Sequence, residues 1–113
     1  MMSSTPFKAM ELVQYCNGPD DSHMGQLRIF NGIKRKNRVN YWEMDNEAGR
    51  KWTAEGYAQQ IVKFAKQMRK ADPAIKIMME CYSYDRRGTN GSLARMLEIA
   101  GSQADLVITR ASD

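Results

Sequence analysis

Residues 39–82 read VNYWEMDNEAGRKWTAEGYAQQIVKFAKQMRKADPAIKIMMECY and decide the fold of this chain. The run VNYWEM (39–44) is aromatic and β-branched with partial alternation, which predicts a strand. Thr53 then stands where a cap begins a helix, and Asp72-Pro73 ends it. The apolar residues of this helix share one face: Tyr57, Ile61, Phe64, Ala65 and Met68. The short apolar run AIKIMMECY (74–82) predicts a second, buried strand.

Upstream of this unit the pattern predicts one short helix and then a long ordered loop. Thr5 is expected as the N-cap and Pro6 as the first helical residue, with Asn17 or Gly18 in the left-handed stop position. Residues 19–38 hold Gly-Pro, Met-Gly and Asn-Gly turn signals and show little periodicity, so they are predicted to form the loop. Loops of that length are usually functional or disordered.

Downstream of residue 82 the pattern predicts one more helix and one more strand. Ser92 is expected to cap the helix and Gly101 to close it. The side chains expected to face inward are Leu93, Met96, Leu97 and Ala100. The run ADLVIT (104–109) predicts the third strand. Strands that alternate with helices in this way indicate an α/β fold with a parallel sheet built from right-handed crossovers.

Composition narrows the class of protein. The chain has 113 residues and a formal net charge of +4, which suits one modest soluble domain. The basic clusters KRKNR (34–38) and DRRG (85–88) lack interleaved aromatics, so they predict a solvated basic surface and no nucleic-acid partner. Cys16 and Cys81 lack CxxC spacing and are expected to be reduced and partly buried. No apolar run approaches the ~18 residues of a membrane span, and the first residues show no signal-peptide pattern, so no membrane partner is expected and the localisation stays open.

Polar side chains collect where the predicted strands end, which is the functional edge of a parallel α/β sheet. The first strand is followed by Asp45, Asn46 and Glu47, and the second ends in Glu80, Cys81 and Tyr82. Glu43 and Glu47 do not form a catalytic pair along an extended strand, because four residues span roughly 13 Å and a retaining glycosidase needs about 5–5.5 Å. Glu47 is therefore the carboxylate proposed to work, with Glu43 as a wall or ion-pair partner. The alternative for Glu47 is a solvated loop carboxylate.

Other chemistry-bearing residues each allow two interpretations. Trp42 and Trp52 are able to stack on a sugar ring or to pack in the core. Glu80 is either an active-site carboxylate or the ion-pair partner of a nearby arginine. His23 is the one histidine of the sequence, which excludes His-based triads and multi-histidine metal sites and suggests a surface residue. The loop RRGTNG lacks the Gly-Lys-Ser/Thr spacing of a phosphate loop, which disfavours a nucleotide-binding domain.

Three motifs together resemble a known family. They are YCNG (15–18), GQLRIFNG (25–32) and YWEMDNE (41–47), in that order. In α-L-arabinofuranosidases of glycoside hydrolase family 51, a helix ending Tyr-Cys-Asn, a Gly-x-x-Arg-x-x-Asn-Gly segment and a strand ending Asn-Glu follow one another at similar spacing. The resemblance spans roughly residues 9–108, and the later helices and strands would suit almost any barrel.

The resemblance implies a fold, a reaction and roles for particular residues. The fold would be part of a (β/α)8 barrel, corresponding to about its fourth to sixth strands. Glu47 would be the general acid/base of a retaining double displacement, and Asn46 would bind the sugar hydroxyl next to the anomeric carbon. Further candidates for sugar contact are Trp42, Trp52, Glu80 and Tyr82. The substrate would be an arabinose-containing oligosaccharide or polysaccharide, and this mechanism requires no metal or organic cofactor.

The sequence departs from the family in three respects. Asp45 stands where the family usually has Gly, which puts an extra carboxylate beside Glu47. The segment ITRASD (108–113) lacks the His and Tyr that relatives often show there, and the nucleophile of the family lies on the seventh strand. A barrel takes roughly 250 residues and eight strands, so residues 1–113 are expected to be one incomplete segment that is inactive alone and contacts further barrel segments or self-associates. The alternative is a noncatalytic carbohydrate-binding or self-associating α/β module.

Overall fold

The computed structural model describes residues 4–33, 38–44, 53–82 and 92–110. Within these ranges the chain forms α1 (Pro6–Asn17), α2 (His23–Phe30), β1 (Tyr41–Met44), α3 (Ala54–Ala71), β2 (Lys76–Tyr82), α4 (Ser92–Ala100) and β3 (Leu106–Arg110). The three strands form one parallel sheet in the order β1-β2-β3, which confirms the predicted α/β class. No helix in the described ranges is long and apolar enough to cross a membrane.

The core lies between one face of the sheet and the helices. Trp42 and Met44 of β1 are in register with Ile77 and Met79 of β2, and all four are buried. Opposite them lies the apolar stripe of α3, which packs between α1 and α4. The members of that stripe are those that the spacing predicted: Tyr57, Ile61, Phe64, Ala65 and Met68. Helix α3 therefore organises the core, because it packs against α1 and α4 and its stripe shares one buried cluster with β1 and β2. Helix α2 packs against α1 instead.

The opposite face of the sheet is partly uncovered in the described structure. Because side chains alternate between the two faces of a strand, this open face carries the residues next to the buried ones in sequence. They are Tyr41, Glu43, Lys76, Met78, Glu80, Leu106 and Ile108. Tyr41 is 57% exposed and Leu106 is 47% exposed, whereas side chains on the helix-facing side of β1 and β2 are buried. The sheet thus presents apolar surface on the side away from its helices.

Helix α1 begins as predicted and ends differently. The Thr5 hydroxyl accepts from the Lys8 backbone N–H at 3.2 Å, and Pro6 is the first helical residue. Gly18, however, is extended (φ −69°, ψ 157°), so the predicted left-handed stop is wrong. Pro19 explains the difference, because a residue before proline is pushed to the extended region. Gly18 is still needed there, since a Cβ would crowd the Gln14 carbonyl oxygen.

The predicted long loop is wrong over residues 23–30, which form helix α2. The Ser22 hydroxyl caps it by accepting from the Gly25 N–H at 3.0 Å. The Asn-Gly signal marks the end of this helix, where Gly32 has a positive φ of 86°. The buried positions of α2 are Gly25 and Arg28, which no apolar periodicity reveals. Because α2 buries residues that are not apolar, its sequence lacks the hydrophobic periodicity that predicts a helix.

Helix α4 follows the prediction in part. It begins at Ser92, the residue expected to cap it, and ends before Gly101, whose N–H donates to the Leu97 carbonyl at 2.8 Å. Met96 and Ala100 are buried as expected. Leu97 is exposed, so its inward assignment is wrong, and Ile99 packs against the core instead. The Leu93 side chain lies outside the described part of the chain.

Polar side chains fasten the amino-terminal edge of the sheet. The Asn17 side-chain amide donates to the Val39 carbonyl at 2.8 Å, and its oxygen accepts from the Val39 N–H at 2.7 Å. The same amide donates to Asp72 at 3.1 Å, and Arg38 pairs with that carboxylate at 2.9 Å. The Asn17 side chain thus makes the two backbone hydrogen bonds to Val39 that a neighbouring strand would make. Through Asp72 it also links Val39 to the end of α3.

A second polar contact at this edge joins β3 to β2. The Asp105 carboxylate accepts from the Ile77 N–H at 2.9 Å, while the Asp105 N–H donates to the Ile77 carbonyl at 2.8 Å. Arg69 of α3 pairs with the same carboxylate at 2.9 Å. Both polar contacts made from the carboxyl end of α3 therefore lie at the edge where the strands begin. In a barrel, this is the edge that serves stability.

We predict that Asn17→Ala destabilises the chain by about 1–3 kcal/mol, because the backbone N–H and carbonyl of Val39 lose their side-chain partners while partly buried. The free energy of unfolding in urea measures the change. Lys8→Ala is the matched control on an exposed position of the same helix and should shift that free energy by less than about 0.5 kcal/mol. Equal effects of the two substitutions would contradict the role assigned to Asn17.

Candidate functional site

The carboxyl edge of the sheet is where the sequence analysis places the functional residues. Strands β1, β2 and β3 are parallel, so Met44, Tyr82 and Arg110 end them at the same edge. Asn46 and Glu47 follow β1 by two and three residues. Asn46, Glu47 and Trp52 lie outside the described residues, as does the Tyr82 side chain. The described part of the chain therefore shows the strands that lead to the predicted site, and the catalytic role of Glu47 stays a prediction.

Glu80 is the carboxylate that the structure describes nearest this edge. It lies two residues before the end of β2 and is only 3% exposed. It belongs to the open face together with Glu43, which is opposite Met78 and therefore two residues away from Glu80 in register. Burial of a carboxylate is costly unless charge or hydrogen bonds compensate it. A buried Glu at a strand end is thus consistent with either alternative that the sequence offered, a site carboxylate or an ion pair.

Trp42 faces the other way. Its side chain is 7% exposed, and its indole N–H donates to the Val39 carbonyl at 3.0 Å. Because Trp42 shares its face with Met44, it lies beneath the helices and not on the open face. This is the core-packing alternative given for it above. His23 is exposed at the first position of α2, in line with its interpretation as a surface residue.

The Tyr57 hydroxyl was not among the predicted site features. Its ring belongs to the buried stripe of α3, as the spacing predicted. Its hydroxyl donates to the Met44 carbonyl and accepts from the Glu80 N–H at 2.8 Å. A side chain of α3 therefore bridges β1 and β2 at the carboxyl edge. The sequence signal was present, since Tyr57 is the one member of the predicted stripe with a hydrogen-bonding group.

Arg28 is a second residue that the sequence analysis left without a role. Its guanidinium is buried, donates to the Tyr15 carbonyl at 2.8 Å and pairs with Asp20 at 2.7 Å. These contacts hold three segments together: the end of α1, the connection after it and α2. Gly25 permits this close packing, because a Cβ there would collide with the Pro19 carbonyl. The motif GQLRIFNG thus serves as framework in this structure.

The Cys16 thiol lies beside this arginine and is half-buried. Desolvation by burial raises the pKa of the Cys16 thiol, and the positive charge of Arg28 offsets part of that rise. The neutral thiol is therefore favoured in the folded chain. An activated, low-pKa cysteine needs the opposite balance, so Cys16 is a packing residue.

We predict that Cys16 in the folded chain is alkylated by iodoacetamide with a midpoint at higher pH than the same thiol in an unfolded peptide of residues 12–20. The reason is that the thiolate is the reactive form and burial disfavours it. Peptide-level mass spectrometry follows Cys16 separately from Cys81. A midpoint below that of the peptide would contradict the assignment of Cys16 to packing.

Comparisons with known proteins agree on one family. The family model of the α-L-arabinofuranosidase 1 domain matches residues 1–105. The α-L-arabinofuranosidase C of Emericella nidulans is 33% identical over 84 residues, which are 70% of this chain and 17% of that protein. The intracellular exo-α-(1→5)-L-arabinofuranosidase of Halalkalibacterium halodurans is 35% identical over 75 residues, which are 62% of this chain and 15% of that protein.

Solved structures show the same likeness. The Thermotoga maritima α-L-arabinofuranosidase, crystallised as an arabinose complex, aligns with a TM-score of 0.81 at 26% identity over 96% of this chain and 23% of its own. The GH51 α-L-arabinofuranosidase of Thermotoga petrophila aligns with a TM-score of 0.81 at 26% identity over 100% of this chain and 24% of its own. The chain thus spans less than a quarter of these relatives, and its sheet corresponds to part of their barrel.

Proposed function

The chain belongs to the family of the α-L-arabinofuranosidase 1 domain, and from this premise we propose that it supplies the acid/base half of a retaining arabinofuranosidase site. The observation that supports the proposal is that Asn46 and Glu47 follow β1 by two and three residues in the sequence, and that β1 belongs to a parallel sheet whose fold matches part of a GH51 α-L-arabinofuranosidase. Residues at the carboxyl edge of the sheet perform the chemistry in barrels of this kind.

In the proposed reaction, Glu47 acts twice. It first donates its proton to the glycosidic oxygen as the bond to the anomeric carbon breaks, and a second carboxylate attacks that carbon to form a glycosyl-enzyme. It then takes a proton from water as the water displaces this carboxylate, which restores the starting state. Asn46 donates to and accepts from the neighbouring sugar hydroxyl through its amide. The second carboxylate belongs, in this proposal, to a barrel strand other than β1, β2 and β3.

Other residues at the edge take supporting roles in the proposal. Asp45 places a negative charge beside Glu47, and a neighbouring like charge favours the protonated acid that the first step needs. Glu80 forms a buried wall of the site, and Trp52 and Tyr82 contact the sugar. Trp42 supports β1 from the core side, because its ring packs under the helices. The proposed substrate is an oligosaccharide or polysaccharide with arabinofuranosyl groups, and neither metal nor organic cofactor takes part.

We predict that the purified 113-residue chain hydrolyses a 4-nitrophenyl α-L-arabinofuranoside no faster than buffer does, because Glu47 alone provides no nucleophile. Release of 4-nitrophenol measures the rate. Robust turnover that Glu47→Ala abolishes would contradict the need for a second carboxylate from another strand. Glu80 would then be the nucleophile to test, by Glu80→Gln.

A transplant tests the role of Glu47 itself. Residues 1–105 replace the matching segment of the Thermotoga maritima enzyme, and Glu47→Gln is introduced into the hybrid. We predict a loss of about 10²–10⁴-fold in kcat/KM on arabino-oligosaccharides, the usual contribution of a general acid/base. Glu43→Gln is the matched control, since Glu43 lies on β1 only four residues before Glu47 and is proposed as a wall or ion-pair partner. A comparable loss from both substitutions would contradict the choice of Glu47.

The open face supports a proposal about assembly. Parallel sheets are normally covered on both faces, whereas Tyr41 and Leu106 are substantially exposed here. We propose that residues 1–113 form one incomplete segment of a barrel and that further barrel segments cover this face. The same exposed face favours the second candidate function, a self-associating module that binds carbohydrate without hydrolysis.

We predict that the isolated chain self-associates through the open face, because uncovered apolar surface favours burial. Sedimentation velocity over a range of concentrations measures the assembly. Tyr41→Lys should shift it toward monomer, whereas Phe7→Lys, at an exposed position of α1, should not. A chain that stays monomeric at every concentration, or an assembly that Tyr41→Lys does not shift, would contradict the prediction. Calorimetry with arabino-oligosaccharides on the assembled form separates the noncatalytic module from the enzyme segment.

A further inference from the structure

The exposed side of α3 carries charge of one sign along most of its length. Glu55 is the one acidic residue of this helix, and it pairs with Arg95 of α4 at 2.9 Å. After Glu55 the exposed positions are neutral and then positive. They recur at helical spacing and are Gln59, Lys63, Lys66 and Lys70. We call Lys63, Lys66 and Lys70 the lysine row.

The lysine row has no counter-charge within the described ranges of the chain. None of its three ammonium groups forms an ion pair with a described carboxylate. Arg69 of the same helix differs, because it pairs with Asp105 at 2.9 Å. Like charges three or four residues apart on a helix repel each other. The lysine row therefore presents an unbalanced positive charge to solvent.

The stability of the helix does not account for the lysine row. A positive charge in the last turn interacts favourably with the helix dipole, which explains Lys70. Lys63 lies about two turns earlier, beyond the reach of that effect. A helix face that only needs to stay soluble usually alternates lysines with acids at i,i+4 spacing, and α3 does not. The lysine row is therefore suited to an anion from outside the chain.

The neighbours of the lysines indicate the class of anion. Gln59, Gln60 and Gln67 lie within about 60° of Lys63 around the helix axis, and all three are at least partly exposed. Side-chain amides both donate to and accept from hydroxyl groups. This side of α3 has no aromatic ring to stack on a nucleic-acid base and no apolar side chain to enter a lipid layer. Ammonium and amide groups together match a polymer that carries carboxylates and hydroxyls.

The spacing and direction of the lysine row suit an extended polymer. Its members are about 4.5 and 6 Å apart along the helix axis, which is near the length of one sugar unit. The amino end of α3 lies at the carboxyl edge of the sheet, where the Tyr57 hydroxyl binds Met44 and Glu80. A polymer that follows the lysine row toward Gln59 therefore approaches the edge at which barrel enzymes perform their chemistry.

We propose that the lysine row of α3 binds a carboxylated polysaccharide, a polyuronate, and so favours arabinofuranosyl groups attached to an acidic backbone. The choice of a polysaccharide rests on the proposed function. The anion-binding surface does not, because it consists of exposed charges on a described helix. A uronate keeps free hydroxyls beside its carboxylate for the glutamines to bind, whereas sulfation replaces hydroxyls, so carboxylate is the assigned anion.

The test measures binding of the 113-residue chain to polygalacturonate immobilised on a biolayer sensor. The chain should bind at about 0.01 M salt, and its affinity should fall at least tenfold at about 0.2 M salt, because salt screens contacts between exposed charges. Neutral dextran on a second sensor should not retain the chain. Absence of binding at low salt, or equal binding to dextran, overturns the proposal.

A pair of double variants locates the binding surface. Lys63→Gln with Lys66→Gln should weaken binding by about tenfold, since two ion contacts are lost, and glutamine keeps the helix propensity of lysine. Lys8→Gln with Lys76→Gln is the matched control, because it removes the same net charge from exposed positions of α1 and β2. It should change the affinity by less than about twofold. Equal losses would mean attraction by net charge alone and would overturn the lysine row as the site.

A footprint on the unsubstituted chain keeps the proposal testable even where a variant does not fold. Polygalacturonate should slow the acetylation of Lys63, Lys66 and Lys70 severalfold relative to that of Lys8, as measured by peptide mass spectrometry. Equal rates at all four lysines in the presence of the polymer overturn the proposal.

Competing polyanions decide the class of partner. Single-stranded DNA, dextran sulfate and phosphatidylserine vesicles, compared at equal charge concentration, should each bind more weakly than polygalacturonate. Equal or tighter binding of any of them overturns the assignment to a carboxylated polysaccharide. If hydrolysis by the hybrid enzyme fails while polygalacturonate still binds, the proposed function alone is overturned. If the hybrid hydrolyses arabino-oligosaccharides while the chain does not bind polygalacturonate, only the lysine-row proposal is overturned.

Discussion

The structure depends on the burial of one face of a parallel sheet against the apolar stripe of α3. The stripe decides which side of β1 and β2 is the core side, because Trp42, Met44, Ile77 and Met79 must lie against it. It also fixes where the strands begin and end. At its carboxyl end, Arg69 pairs with Asp105, which precedes β3, and the C-cap Asp72 pairs with Arg38, which precedes β1. At its amino end, the Tyr57 hydroxyl binds Met44 of β1 and Glu80 of β2. One helix therefore sets the sheet from edge to edge.

The two edges of the sheet use different chemistry. The amino-terminal edge is fastened by Asn17, Asp72 and Asp105, whose side chains replace missing backbone partners or pair with arginines. At the carboxyl edge, among the described residues, the Tyr57 hydroxyl bridges Met44 of β1 and Glu80 of β2. The family motifs divide in the same way: Asn17 of YCNG serves the amino-terminal edge, and Asn46-Glu47 follows the strand at the carboxyl edge. Stability at one edge leaves the other free to carry function.

The sequence predicted those elements whose buried positions are apolar and evenly spaced. Helix α3 and the strands β1 and β2 were found because each buries a regular set of apolar side chains. Strand β3 was found from its short apolar run alone, since Leu106 and Val107 are exposed. Helix α2 was missed because it buries Gly25 and Arg28, and a charged residue held by Asp20 does not register in a hydrophobic pattern. The Tyr57 bridge was missed for a related reason, since spacing assigns the ring to the core but does not reveal the partner of its hydroxyl. For the site, spacing excluded Glu43 as the partner of Glu47, and only the resemblance singled out Asn46-Glu47.

The open face and the missing second carboxylate have a common physical origin in the proposed enzyme. A retaining site needs a second carboxyl group about 5–5.5 Å from the acid/base, and strands that approach the carboxyl edge from across a barrel provide it. The same strands would lie over Tyr41 and Leu106, which the described sheet leaves exposed. In the proposed enzyme, the strands that cover the apolar face would therefore also supply the second carboxylate. Glu80, already buried at the edge beside the Tyr57 bridge, belongs to the half of that interior which these residues build.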